Sequence, residues 1–394
     1  MSKSGLLNMF LIALCLLSPA VGNAGTSQQP MFKPVFKHGE DDYPEYRIPS
    51  LVTTEKGTLL AFCEGRKTLS AHAQNDIVLK RSTDGGQTWG ELIVVHEDGE
   101  NVLVNPCAVA LDSGRILMMY QHFPAGYHAR AMGNRIKRLE AGLSGPKVST
   151  TLITCSDDDG KTWSKPRDVT KGTKRHAPIV STATGPGRGI VLSRGRHKNR
   201  IIMPTNEGWY VDNARFFNVY SCYSDDNGQS WKCGEPAPNG SQGNGNEVQM
   251  IELKDGSIML NSRSAGSSGY RKFAVSSDGG HTWTPLVDEQ QHPEPRCMGT
   301  ILRYSFPEDG KGRLLFANPG TKRGRKQGTV RLSYDDGRTW PVSKVIYEAG
   351  YAYSCLTKLA DGSVGLLFEK DGYKSITFAR FTLDWLTDGK DRAD

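Results

Sequence analysis

The chain has 394 residues, 37% of them apolar and 23% charged, with a formal net charge of +7. That balance is globular and excludes disordered and fibrous classes, and the length suits one large all-β domain or two ordinary ones. The positive excess is spread thinly, with no basic run interleaved with aromatics, so it argues against nucleic acid as a partner while leaving a weak field that gathers anions.

Residues 1–24 read as an export signal, with Lys3 ahead of an apolar stretch over 6–17 and a small-residue end at Gly22-Asn23-Ala24. A lipid-modified Cys15 is the alternative, opposed by Leu14 where a small residue is wanted. Residues 25–394 are expected to form one domain with no membrane span, since no run of about 20 apolar residues follows. The expected location is periplasmic or extracellular. Seven cysteines remain after Ala24, an odd number without CxxC spacing, which speaks against a zinc site and a disulfide scaffold. Cys222 and Cys233 flank a turn and are the one pair placed to bridge.

Short β-like runs follow in chain order, each after a Gly-containing turn: Thr58-Leu59-Leu60-Ala61-Phe62, Arg115-Ile116-Leu117-Met118-Met119-Tyr120, Ser257-Ile258-Met259-Leu260 and Val364-Gly365-Leu366-Leu367-Phe368. Between them the pattern Ser-x-Asp-x-Gly-x-Thr/Ser-Trp recurs five times, beginning at Ser82, Ser156, Ser224, Ser276 and Ser333. Each copy follows a strand-like run and so belongs in a hairpin turn. There Asp bonds the amides of its own turn, Gly supplies a positive φ, and Trp buries a large ring between neighbouring sheets. The spacings of 74, 68, 52 and 57 residues suit one four-stranded unit per copy. Only residues 122–147 break the rhythm, with Ile136 and Leu139 among Arg130, Arg135, Lys137 and Arg138. They read as a solvated surface insertion, with a short helix or a lid as alternatives.

These repeats resemble the Asp boxes of the sialidase family. The resemblance implies a six-bladed β-propeller, its sixth blade closed by strands from both chain ends; a seven-bladed propeller is the alternative. Asp boxes are structural in that family and also occur in propellers that are not enzymes, so they speak to fold alone.

Further motifs carry the resemblance toward a site. Tyr46-Arg47-Ile48-Pro49 is similar to the Arg-Ile-Pro motif that supplies the first carboxylate-binding arginine of sialidases, and it stands before Leu59-Leu60-Ala61-Phe62-Cys63-Glu64-Gly65-Arg66 as in the family, which adds Arg66 to the substrate-binding set. Glu247 and Arg263 match the family's glutamate and second arginine across one hairpin. Arg325 matches the third arginine, with Arg323 as a competitor and with Gly328 where an apolar residue is usual. Glu369 matches the glutamate that orients Arg47. Three arginines converging on one spot repel one another unless an anion is bound, and a guanidinium offers a carboxylate two parallel N–H donors. The resemblance further implies Tyr353 as nucleophile and Glu247 as its base partner. Tyr351, two residues away, would share a strand face with Tyr353 and is the alternative. A neutral phenol suits a 2-keto sugar acid, whose anomeric carbon bears a carboxylate that would repel an attacking Asp or Glu.

One part of the pattern is missing. The aspartate that acts as general acid in sialidases falls on Ala71 in this chain, in Lys67-Thr68-Leu69-Ser70-Ala71-His72-Ala73-Gln74-Asn75-Asp76. His72 is the candidate substitute, since its reference pKa of about 6.5 suits proton donation; Asp76 is expected to be structural. The implied activity is retaining exo-hydrolysis of terminal α-linked sialic acid from a glycan. A hydrolase of a related ulosonic acid such as Kdo or Kdn, or a binding propeller without turnover, are the alternatives. Neither a cofactor nor a metal is implied.

Overall fold

The computed structural model describes residues 1, 28–68, 74–175, 178–240, 243–266 and 268–393. The expected export signal lies outside them apart from Met1, as do Ala71 and His72. Among the described residues no helix is long and apolar enough to cross a membrane.

The chain is all-β, as its short apolar runs imply. Leu59–Arg66 is buried along its whole length, and Val364–Lys370 along all but its last residue. Such runs are apolar on both faces because each strand lies in a sheet sandwiched between two others. Successive strands pair as antiparallel meanders. The first joins Glu45–Thr53, Leu59–Arg66, Asn75–Ser82 and Ile93–His96. The second joins Val102–Ala110, Ile116–Phe123, Thr150–Ser156 and Arg167–Asp168. Next come Ser181–Thr184, Ile201–Val211, Ala214–Ser224 and Lys232–Cys233, then Gly245–Glu252, Ile258–Ser264, Tyr270–Ser276 and Val287–Pro293.

The remaining strands form one seven-stranded sheet, because the 17-residue strand Val342–Lys358 serves two meanders. Its first part pairs with Lys326–Ser333, behind which lie Arg313–Pro319 and Thr300–Ser305. Its second part pairs with Val364–Lys370, then Ser375–Phe381, and finally with Met31–Lys37 from the other chain end. Strands from the two chain ends therefore pair in one sheet.

All five sequence repeats adopt one geometry. In the first, Ser82 Oγ donates to Asp84 Oδ1 at 2.8 Å and accepts from the Gly86 amide at 2.9 Å, while the Thr88 amide donates to Asp84 at 3.0 Å. The serine-to-glycine bond recurs at 2.9 Å in each of the other four. Partial burial works against ionisation of Asp84, but the Thr88 hydroxyl and amide and the Ser82 hydroxyl outweigh it and bring the carboxyl down to about 2. Gly86 has a φ of +87°, and a Cβ there would lie 2.1 Å from the Phe378 ring. The turn thus abuts the seven-stranded sheet at its Ser375–Phe381 strand, where Trp89 meets the same Phe378 edge-on at 5.4 Å. Trp163 does likewise on Phe62 at 5.6 Å.

The 122–147 stretch is not a helix; most of 130–147 is exposed, in keeping with a solvated insertion, but a few side chains anchor it. Ala129 and Leu139 bury against Val102, Val104 and Phe123. Tyr210 of the long Ile201–Val211 hairpin donates to the Ala129 carbonyl at 2.8 Å, and Arg138 stacks over the Tyr210 ring at 4.5 Å. Cys222 and Cys233 face each other across a strand pair as free thiols.

One buried group makes the fold acid-sensitive. His292 is fully buried, stacks on Phe316 at 4.1 Å, meets Trp340 at 4.7 Å, and among the described residues has no hydrogen-bond partner for either nitrogen. Burial pushes its imidazole well below the usual range, and Arg331 and Arg271 push it further. The unfolded chain therefore takes up a proton as pH falls through about 6.5, whereas the folded chain does not, so stability falls below that pH. His292→Phe keeps the ring packing and removes this term. Its melting temperature should exceed that of wild type by more at pH 5.0 than at pH 7.5, as thermal unfolding at the two values will show.

Candidate active site

The first strands of successive meanders touch one another around the middle of the molecule, and four of them carry a β-bulge at the same end. Register shifts fall between Arg47 and Ser50, Val104 and Cys107, Gly245 and Val248, and Tyr351 and Ser354. In each, two residues of the inner strand oppose one on its neighbour. A bulge re-aims side chains out of the pleat, and these bulges hold Ile48, Asn105, Glu247 and Tyr353. Ile48 and Asn105 have φ of +63° and +58°. For a β-branched residue such as Ile48 this is a strained conformation.

Glu369 supports that strain. Its carboxylate is fully buried and accepts from Arg47 Nε at 2.6 Å, Arg47 Nη2 at 3.3 Å, the Ile48 amide at 2.8 Å and the Tyr353 amide at 3.1 Å. One anion therefore ties the N-terminal motif to the strand bearing Tyr353. Burial works against the charge on Arg47, but Glu369 outweighs it and raises its pKa above the usual arginine value.

Across the cluster, the Tyr353 hydroxyl donates to Glu247 Oε1. Arg263 Nη1 bridges the pair, donating to Glu247 Oε2 at 2.7 Å and to the Tyr353 oxygen at 2.9 Å. The guanidiniums of Arg47 and Arg325 lie 5.5 and 5.2 Å from the centre of the Tyr353 ring. Burial raises the Glu247 carboxyl, yet Arg263, the tyrosine hydroxyl and Arg325 prevail and hold it below its usual range. Burial and then Glu247 push the Tyr353 phenol well above 10, against the pull of Arg263 and Arg325. The resting pair is thus an ionised carboxylate and a neutral phenol. Within the cluster three guanidiniums face two carboxylates, so one positive charge is uncompensated. Arg263 Nε is buried without a hydrogen-bond partner. The arrangement has room for one more anion and donors to receive it.

Several sequence expectations are resolved by this geometry. Arg323 is exposed, whereas Arg325 is half-buried and donates to the Tyr373 hydroxyl at 3.0 Å. Tyr351 does not share a face with Tyr353, because the bulge between them breaks the two-residue alternation. Its ring is buried on Phe368 at 4.8 Å. That also explains Gly328, where a Cβ would lie 2.2 Å from the Tyr351 ring. Arg66 lines the adjoining pocket but is engaged by Glu64 at 2.7 Å and Glu45 at 3.0 Å. Asp76 is buried and accepts from the Tyr43 hydroxyl at 2.7 Å, which fits a structural part. His72 lies outside the described residues. Sequence reasoning missed Tyr373, over which Arg47 stacks at 3.8 Å. It also missed the pocket wall formed by His128, Ala129 and Arg130 of the inserted stretch.

Residues 57–366 match a family model described as a BNR repeat-like domain. A sialidase from Micromonospora viridifaciens is 36% identical over 94% of the chain, which spans 57% of that protein's length. One from Paraclostridium sordellii is 30% identical over 90% of each. Among solved structures, a Hadza microbial sialidase superposes with a TM-score of 0.78 at 32% identity, covering 90% of the chain and 69% of its own.

Glu369→Gln tests the central carboxylate. It leaves buried Arg47 without its counter-charge and sets an amide N–H against other donors, so it should cost about 3–5 kcal/mol of stability. Urea unfolding will measure this, and a loss below about 1 kcal/mol would show that Glu369 does not anchor the site.

Proposed function

The chain belongs to the sialidase family of BNR repeat-like proteins, and from that premise we propose that it is an exported exo-α-sialidase acting on terminal α-linked sialic acid. The observation that carries the reading is the cluster in which Arg47, Arg263 and Arg325 surround a tyrosine hydrogen-bonded to Glu247. The three arginines hold the substrate carboxylate. Tyr353 Oη attacks the anomeric carbon as Glu247 takes its proton, and the glycosidic oxygen leaves with a proton from a general acid. Water then displaces the tyrosine from the glycosyl-enzyme intermediate, which gives retention of configuration.

His72 is proposed as that acid, because the undescribed stretch 69–73 contains no carboxylate and His72 is its one titratable side chain. Residues 25–394 are proposed to form one six-bladed propeller behind an export signal over 1–24. The successive antiparallel meanders, five of them with an Asp box between their third and fourth strands, support this count.

Release from a fluorogenic α-ketoside of sialic acid tests the activity. No release together with measurable binding of free sialic acid would leave a binding protein in its place. Tyr353→Phe should lower turnover by a factor on the order of a thousand or more, with little change in affinity for a 2,3-unsaturated sialic acid analogue.

The pH profile tests the acid and the base. Glu247 must be ionised, and its lowered pKa puts the acid limb of kcat/KM below the ordinary glutamate value of about 4.3. With His72 as acid, kcat/KM on a natural glycan falls above about pH 6.5. His72→Ala should lose that limb and most of the rate on the glycan, while an aryl ketoside, which needs little protonation, is spared. Equal rates on the natural glycan would remove His72 from the mechanism.

A further inference from the structure

Beside the tyrosine cluster, the pocket of about 320 Å³ extends to a second cationic centre that the mechanism does not use. Arg215, on the Ala214–Ser224 strand, and Arg130, on the inserted stretch, both line it. Arg215 is held in place: its guanidinium stacks on Phe217 at 4.5 Å and lies across Gly208, where a Cβ would stand only 3.3 Å from Nη2. Among the described residues its one hydrogen bond is a long one, from Nη2 to Ser181 Oγ at 3.4 Å. Nε is buried and has no described acceptor.

No described carboxylate pairs with either arginine. The two that line the pocket are already engaged, Glu64 by Arg66 and the Asn105 amide, and Glu247 by Arg263 and Tyr353. The undescribed internal stretches 69–73, 176–177, 241–242 and 267 contain no Asp or Glu, so none of these internal stretches supplies the missing charge. Burial lowers the Arg215 pKa; Tyr210 works against this, and Arg130, which lines the same pocket, adds to it. A half-buried guanidinium whose Nε is buried and empty, sharing a pocket with an exposed second cation and no unengaged described acid, has the makings of an anion receptor.

We propose that Arg215 and Arg130 receive a second negatively charged group of the glycan, beyond the sialic acid whose carboxylate is held by Arg47, Arg263 and Arg325. The preferred substrates would then be doubly charged glycans, the second charge being the carboxylate of a neighbouring sialic acid or a sulfate ester on the next sugar. This rests on the sialidase reading for the first carboxylate, but the receptor can be tested without turnover.

Initial rates on three glycans decide it: 3′-sialyllactose, an α2,8-disialyl-lactose, and a 3′-sialyl-N-acetyllactosamine carrying one sulfate. The full chain should favour at least one of the two doubly charged glycans by about tenfold in kcat/KM, chiefly through KM, with the preference shrinking as salt is raised. Which of the two is favoured tells carboxylate from sulfate. Arg215→Gln should abolish the preference, Arg130→Gln should reduce it, and Arg215→Lys should restore part of it. Equal kcat/KM for all three glycans, or a loss in Arg215→Gln that is the same for all three, would overturn the proposal. If no glycan is cleaved, the sialidase reading fails, and calorimetric Kd values for the same three glycans read the preference directly.

Discussion

The buried carboxylate of Glu369 is the constraint on which the site depends. A fully desolvated anion is tolerated only when its oxygens are filled with donors. Here the donors come from a guanidinium and two amides on different strands, Arg47 and Ile48 on one and Tyr353 on another. Those strands meet only because Val342–Lys358 lies against Glu45–Thr53 and because Met31–Lys37 completes the sheet formed by the end of the chain. Chain closure and site assembly are therefore one event. The left-handed backbone of Ile48, unfavourable by itself, is stabilised by the same carboxylate that its amide reaches.

Stability and chemistry are divided between the two ends of the sheets. The Asp boxes form turns whose hydrogen bonds are local, and whose Gly and Trp fit the neighbouring meander. The inner strands, at their other end, give up regular pairing at four bulges and there present Ile48, Asn105, Glu247 and Tyr353. A repeated, locally satisfied turn is what allows irregular backbone to be held rigidly elsewhere, which a preorganised charge cluster requires.

This division explains what could be read from the sequence. The boxes were legible because their donors and acceptors lie within a few residues of each other, so the pattern and the structure are almost the same object. Arg47, Glu247, Arg263, Arg325, Tyr353 and Glu369 were legible through family resemblance, and the structure brings them together. The opposite facing of Tyr351 and Tyr353 was not legible, since period-two alternation fails at a bulge and no residue type announces one. Gly328 looked like a departure until the ring that fills its place was visible. The inserted stretch was legible in part: its charges are exposed, as read, while two apolar side chains, Ala129 and Leu139, and one hydroxyl, that of Tyr210, fasten it to the pocket rim, which no sequence period announces.

The two cationic centres of the pocket differ in what balances them. Around Tyr353, two carboxylates offset three arginines and leave one positive charge, which the proposed substrate carboxylate would balance. Around Arg215 no described carboxylate offsets the charge. A centre of the first kind sets geometry, because its members are locked to each other by short hydrogen bonds. A centre of the second kind sets selectivity, because an unpaired buried donor penalises every ligand that fails to reach it. The inserted stretch supplies Arg130 to the second centre and none of the three arginines of the first. On the proposed reading, the outer specificity of the pocket can change with the insertion while the chemistry assigned to Tyr353 stays as it is.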